Sequence, residues 1–340
     1  MKKKILVIAN GTIGDTVTAM PAMQKICTYH KDDIVHLYNT RIVANDIHKT
    51  LFDHLDWFDR MDFRVVSDSL YRSIFRRFSN WWNIFSEHYD IIYELPGNFL
   101  MPKKILKAFG AKKICSPEVL EPGGVPRFRY LLQQLEQCGI PRCSEDENVD
   151  WNFQPEEIAA AEEWFSRIQI PVGFTPFIVC TGGKSPVQHW HLERYAEVLK
   201  KIVPEYHLFP IFVGASGEKK DAEYLITECG TGVFSQDIGP LSLREMILVF
   251  RKFKLYLGND TGILHLAGAA GIPCVGISSA RAFENFWTPL GRDHHIITAD
   301  VPCKGCRRNQ CLQKSQVLCL DKIRSAEILS EAIMILKHIN

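Results

Sequence analysis

Residues 258–265 read Gly-Asn-Asp-Thr-Gly-Ile-Leu-His, at the junction of an apolar run and a helix-like stretch. A chain that only needed to turn here would require neither a carboxylate nor a histidine. The first amides of a helix lack intrahelical acceptors, and the helix dipole adds positive potential at the same end. Thr261 and Gly262 are small enough to let an anion reach those amides, so the turn suits a phosphate group. Asp260 is the expected N-cap of this helix, and His265 falls one turn further on, beside a ligand or packed as a core histidine. Capping and packing alone would also account for both residues. A second polar strand-to-helix turn, Gly11-Thr12-Ile13-Gly14-Asp15, favours a functional reading. The two turns fall one in each half of the chain and are expected to face each other across a cleft.

A different chemistry is suggested near the C-terminus. Of eleven cysteines, Cys303, Cys306, Cys311 and Cys319 crowd into one segment with the pattern C-x2-C-x4-C-x7-C. Four soft ligands in one short loop suit a tetrahedral structural Zn or Fe site. Unliganded thiols and a disulfide are the alternatives, the latter disfavoured in a reducing cytosol. Cys27, Cys115, Cys138, Cys143, Cys180, Cys229 and Cys274 are scattered and read as small buried hydrophobes. Arg307 and Arg308, beside the quartet, would meet an anionic acceptor or simply be solvated.

Elements must hold these residues in place. The patterning predicts strands at 4–9, 34–38, 89–95 and 112–115, with helices over 15–29 and 127–138. Residues 141–155 are polar and irregular and suit a linker. A helix over 155–168 opens the second half, where alternation resumes. Strands are expected at 177–181, 208–214, 255–258 and 274–278, and helices at 192–202, 218–229, 241–253, 261–270 and 325–338. Such alternation builds parallel sheets covered on both faces, which bind ligands at the carboxyl ends of their strands.

The bulk properties bound the function. A chain of 340 residues with 46% hydrophobic content can form two domains with cores of their own. Lys plus Arg is 40 and Asp plus Glu is 39, so a net charge of +1 gives no field that would draw nucleic acid. No stretch approaches the roughly 20 apolar residues of a membrane span. The basic start MKKKILVIANGTIGD lacks the long apolar core of a secretory signal, and a cytoplasmic protein is expected. Arg72, Arg76, Arg77, Lys103, Lys104, Lys107, Lys112 and Lys113 lie among Phe75, Phe78, Trp81, Trp82 and Phe99. Basic residues beside aromatics suit a phosphorylated, lipid-linked saccharide and peripheral contact at the inner face of the inner membrane. Solvated helix faces over an aromatic core are the more ordinary explanation of any one of them.

The run IGPLSLREMILVFRKFKLYLGNDTGILHLAGAAGIPCVGISS, with IGDTVTAMPAM and QHWHLERYAEVL, closely resembles glycosyltransferase family 9, the bacterial heptosyltransferases of lipopolysaccharide core assembly. The D-T-G-x-x-H-x-A-x-A-x-G-x-P core of that family matches at Asp260, Thr261, Gly262, His265, Ala267, Ala269, Gly271 and Pro273. Gly14, Asp15 and Pro21 match its N-terminal element. The resemblance implies an α/β GT-B architecture of two Rossmann-like domains whose parallel sheets face each other across a cleft. Residues 1–154 would bind the acceptor and residues 155–324, with the cysteine cluster at 303–319, the nucleotide sugar. Residues 325–340 would form a C-terminal helix.

The resemblance further implies an inverting transfer of heptose from ADP-L-glycero-D-manno-heptose to a saccharide or lipid-linked saccharide, with no metal in catalysis. Asp15 occupies the base position, with Gly14 and Thr16 beside it on the acceptor side. Asp260, Thr261, Gly262 and His265 would line the donor, as would the loop Thr181-Gly182-Gly183-Lys184. Glu218 matches a position that contacts the ribose, although a plain helix-start glutamate would look the same. Two positions depart from the family. Gln188 stands where a lysine is frequent, and Ala9 where Lys or Arg is common. Both losses remove positive charge, and Lys184 is the candidate to replace it. Two further readings stand beside the first: an autotransporter-type protein O-heptosyltransferase, suggested by the cysteine quartet, and a noncatalytic nucleotide- or metal-binding regulator on the same fold.

Overall fold

A computed structural model describes residues 2–41, 46–65, 87–97, 103–108, 110–118, 123–312 and 317–338. The chain divides into two units, Met1–Asn152 and Phe153–Asn340, each built around a parallel sheet.

The first unit contains β1 (Lys4–Asn10), α1 (Ile13–Tyr29), β2 (Ile34–Arg41), β3 (Arg60–Val65), β4 (Ile91–Leu95), α2 (Lys103–Ala108), β5 (Lys113–Cys115) and α3 (Arg127–Gln137). Its strands run in the order β3-β2-β1-β4-β5, all parallel. Ile5 to Ile8 of β1 are wholly buried, as a central parallel strand covered on both faces requires. Helix α1 is buried from Gly14 to Met23, nearly all round, which is why its sequence lacks a polar stripe. β3 was not expected from the sequence. Its residues, RMDFRV, alternate without a run of apolar ones, as befits an edge strand. Of the basic–aromatic patch, Arg72, Phe75, Arg76, Arg77, Phe78, Trp81, Trp82 and Phe99 lie outside the described residues, while Lys103, Lys104, Lys107, Lys112 and Lys113 are exposed.

The second unit contains α4 (Pro155–Ser166), β6 (Thr175–Cys180), α5 (Leu192–Glu205), β7 (Leu208–Phe212), α6 (Lys219–Cys229), β8 (Val233–Phe234) and α7 (Ser235–Ile238). It continues with α8 (Leu243–Phe250), β9 (Tyr256–Asn259), α9 (Gly262–Ala269), β10 (Cys274–Ile277), β11 (His294–Ile297), α10 (Leu318–Asp321) and α11 (Ser325–His338). The strand order is β11-β10-β9-β6-β7-β8, again all parallel. The short edge strands β8 and β11 carry too little apolar pattern to be read in advance. Helix α11 is part of this unit's core, since Ile328, Ala332, Ile335 and Leu336 are buried in one cluster with Tyr195, Val198, Leu199 and Ile202 of α5. Its entry is pinned where Trp190 Nε1 donates to the Ile323 carbonyl at 3.1 Å and Arg194 Nη1 to that of Asp321 at 2.8 Å.

In both sheets the chain starts at an inner strand, moves one way, then returns to that strand's other side. The order therefore reverses between β1 and β4 in the first unit and between β6 and β9 in the second. At such a switch point the loops leaving adjacent strands splay apart and leave a crevice. No helix among the described residues is long and apolar enough to cross a membrane.

Candidate active site

The crevice of the second unit is organised by Asn259, the last residue of β9, which is completely buried. Its Nδ2 donates to the carbonyls of Thr181 (2.5 Å) and Gly182 (3.1 Å), the loop that leaves β6. Its Oδ1 accepts from the Tyr195 hydroxyl at 2.9 Å and the Trp190 amide at 3.3 Å. One amide side chain therefore joins β9, the loop after β6 and the start of α5. The strands approach closely enough that a Cβ on Gly258 would fall 2.3 Å from the Cys180 carbonyl oxygen. Glycine at 258 is thus a packing requirement.

The N-cap of α9 is Thr261, whose Oγ1 accepts from the Ile263 amide at 3.3 Å, and not Asp260 as the sequence suggested. Asp260 is drawn away because Ser278, at the end of β10, donates its hydroxyl to Oδ2 at 2.9 Å. Burial pushes the Asp260 carboxyl up to about 6, against the opposing effects of the Ser278 hydrogen bond and the Arg281 charge. His265 is buried, with Nε2 3.8 Å from Asp260 Oδ1 and its ring edge-on to Trp287 at 6.0 Å between centroids. Gln188 donates Nε2 to the Asp260 carbonyl at 3.1 Å. A carbonyl only accepts, so this bond fixes which end of the amide faces Asp260.

The Glu218 carboxylate lies against Gly182 and Gly214. A Cβ on Gly182 would fall 2.7 Å from its Oε1, and one on Gly214 3.1 Å from Oε2. Oε2 is buried and has no hydrogen-bond partner among the described residues. Thr181, Gly182, Gln188, Glu218, Asp260, Thr261, Gly262 and His265 are thus carried by the loops and helix starts at one sheet edge. Lys184 is exposed and forms no ion pair among the described residues.

The crevice of the first unit holds Asp15, on the first turn of α1 and buried. Its Oδ2 accepts from the Thr12 amide at 2.6 Å and the Thr12 hydroxyl at 2.9 Å. Its Oδ1 is buried without a hydrogen-bond partner among the described residues. Gly97 follows β4 across the switch point, and a Cβ there would fall 2.6 Å from that same Oδ1. A Cβ on Gly11, whose φ of 129° already excludes most side chains, would meet the carboxyl carbon at 2.3 Å. Two glycines therefore give the carboxylate its room. Gly14 and Thr16 are buried with it in the same turn.

The support is a buried arginine at the start of α3. Arg127 Nη1 donates to the Asp15 carbonyl at 2.7 Å and the Thr18 hydroxyl at 2.6 Å, and Nη2 donates to the Pro96 carbonyl at 2.6 Å. It holds α1 and the loop after β4 in one place. Asn10 Oδ1 adds to this by accepting from the Gly97 amide at 2.8 Å.

Asn259 and Arg127 were not picked out from the sequence as site residues. A single asparagine closing an otherwise apolar strand was a legible signal. An arginine opening an amphipathic helix carries none, because most such residues are solvated.

The cysteine segment runs beside the second crevice. The Gly305 amide donates to the Ala280 carbonyl at 2.7 Å and the Arg307 amide to the Arg281 carbonyl at 2.9 Å. Ser185 Oγ donates to the Asn309 carbonyl at 2.5 Å. Cys303 and Cys306 are exposed, while Cys311 and Cys319 are half-buried. Burial pushes the Cys319 thiol up, with Cys303 near enough to add to the effect. Among the described residues no group of three or more His, Cys, Asp or Glu side chains is gathered as a metal ion would require. Arg307 and Arg308 are exposed, Arg307 lying over the Phe283 ring at 6.0 Å.

Comparison with known proteins agrees with this picture. The family model for glycosyltransferase family 9 (heptosyltransferase) matches residues 108–316. The lipopolysaccharide heptosyltransferase 1 of Campylobacter coli is 28% identical over 143 residues, which is 38% of this chain and only 42% of that protein. Among solved structures, a glycosyltransferase family 9 protein of Veillonella parvula superposes with a TM-score of 0.72 at 15% identity, over 99% of this chain and 97% of the other. The ADP-heptose lipopolysaccharide heptosyltransferase II of E. coli gives 0.66 at 16% identity, covering 99% of both chains. These two likenesses show a shared two-sheet α/β fold. With more than half of its length matched by the family model, the chain belongs to glycosyltransferase family 9, the heptosyltransferases.

Proposed function

We propose that the protein is an inverting heptosyltransferase that moves heptose from ADP-L-glycero-D-manno-heptose to a hydroxyl of a lipopolysaccharide inner-core or related saccharide. The observation that carries this reading is the split role of the Asp15 carboxylate. One oxygen is anchored by Thr12, and the other is buried, unpartnered and spared by glycines at 11 and 97. A group that only capped a helix would not need a second oxygen held clear in this way. In the proposed step Asp15 takes the proton of the acceptor hydroxyl while that oxygen bonds to the anomeric carbon, and ADP leaves with the electron pair of the broken glycosidic bond.

The second crevice supports the donor half of the proposal. Asn259 fixes the loop at Thr181 and Gly182, and the amides at the start of α9 offer donors to a diphosphate. The free oxygen of Glu218 can accept from a ribose hydroxyl. Melting the protein with ADP, GDP, UDP and dTDP, each beside its sugar conjugate, tests the donor. ADP and ADP-heptose alone should raise the midpoint, by the equivalent of roughly 2.7 kcal/mol at a hundred times the dissociation constant. A shift with UDP or GDP instead would overturn the sugar assignment.

A further inference from the structure

We infer that Arg281 is the cation that receives the donor's diphosphate, and that Asn309 on the cysteine segment is its positioning residue. The inference rests on the donor reading above and names the charge that reading lacks. A diphosphate brought beside the buried Asp260 carboxyl requires compensating positive charge. Gln188, pointed at the Asp260 carbonyl, is neutral, and Lys184 is exposed. Arg281 has the right placement. It follows β10, which lies next to β9 in the sheet, so it leaves the same carboxyl edge as Asp260 and Thr261. Its charge is close enough to Asp260 to favour the ionised carboxyl.

Arg281 is also uncommitted. The residue is half-buried, its guanidinium carries five N–H donors, and it forms no ion pair among the described residues. Its hydrogen bond runs from Nη2 to Asn309 Oδ1 at 2.7 Å. The Asn309 carbonyl in turn accepts from Ser185, on the loop that also carries Lys184 and Gln188. Two backbone hydrogen bonds, from Gly305 to Ala280 and from Arg307 to Arg281, fasten the segment at the base of the arginine. Asn309 thus holds a cation on one side and the loop after β6 on the other. A half-buried arginine, oriented by a neutral partner and near Asp260 without forming an ion pair among the described residues, is suited to take an anion from a ligand.

ADP titration of the full chain, with adenosine as the counterpart that lacks the diphosphate, tests this. Arg281→Ala should weaken ADP binding by roughly tenfold to a hundredfold, the range for a hydrogen bond to a charged group, while adenosine binding stays within about twofold. Arg281→Lys should recover part of the loss. Asn309→Ala should weaken ADP by roughly threefold to tenfold, and should add little in an Arg281→Ala background because both changes remove one interaction. Unchanged ADP binding by Arg281→Ala, or an equal loss of adenosine, would overturn the inference while leaving the donor reading intact. Should Arg281→Ala not fold, wild-type affinity in both Arg281→Lys and Asn309→Ala would overturn it as well. If the wild-type protein binds none of ADP, GDP, UDP and dTDP, the donor reading falls and this inference with it.

Discussion

The two sheets open at equivalent switch points yet equip them in opposite ways. In the first unit the support is charged: Arg127 binds the carbonyls of Asp15 and Pro96 and the Thr18 hydroxyl, and the functional group is a carboxylate with one oxygen free. In the second the support is neutral: Asn259 binds two carbonyls, a hydroxyl and an amide, and the crevice is rimmed by small residues and helix-start amides. On the proposed reading a base must keep an unoccupied acceptor, and Arg127 leaves one by gripping the Asp15 and Pro96 carbonyls instead of the carboxylate. On the same reading a diphosphate site must present donors in a fixed array, and Asn259 ties down the Thr181 and Gly182 carbonyls beside it. A shared topology positions both crevices, and the hydrogen-bond type of the anchoring side chain distinguishes them.

This contrast can be broken first on the chemical side. Asp15→Asn keeps the size of the side chain and its bonds to Thr12 but cannot take a proton, and transfer should fall roughly 10²- to 10⁴-fold. Asn259→Ala comes next. It leaves the buried carbonyls of Thr181 and Gly182 without their donor, and a stability loss of about 2–4 kcal/mol, read by urea unfolding, should accompany weaker ADP binding. An equal loss of stability with unchanged ADP affinity would reduce Asn259 to a structural bolt.

The smallest effect concerns pH. Burial raises the Asp260 carboxyl from 3.8 to about 6, so the folded state holds a proton there that the unfolded state has released. Between about pH 4 and 6 the native state binds more protons, and stability from this group is present below pH 4 and lost as pH rises through 6. The span corresponds to roughly 2–3 kcal/mol. Asp260→Asn removes the charge but keeps an acceptor for Ser278. Relative to wild type it should therefore gain stability as pH rises from 4 to 7, with no further gain above. A difference independent of pH would show that folding leaves the Asp260 carboxyl in its ordinary range.

Much of this architecture was legible in the sequence, because buried parallel strands are apolar runs and their helices have a clear period. The ends of the sheets were not. β3, β8 and β11 are edge strands, and RMDFRV, VF and HHII are too mixed or too short to carry a pattern. The candidate site was legible where its residues lie within one turn, as at Asp15 or from Asp260 to Gly262. It was hidden where contacts join distant segments. Arg127 meets Asp15 across 112 residues and Ser185 meets Asn309 across 124, and neither spacing follows from local preference. The capping of α9 was misassigned for the same reason: Ser278, 18 residues away, draws the Asp260 side chain off and leaves Thr261 to cap. The close approach of Gly97 to Asp15 likewise depends on how β4 pairs with β1.

The most direct test of the proposed division of labour measures transfer and ADP binding on one preparation of Asp15→Asn, beside wild type. ADP-heptose and a lipopolysaccharide inner-core saccharide serve for transfer, and ADP titration for binding. A proton acceptor in the first unit and a donor site in the second predict that transfer collapses while ADP affinity stays within about twofold of wild type. Retained transfer, or a matching loss of ADP affinity, would contradict that division.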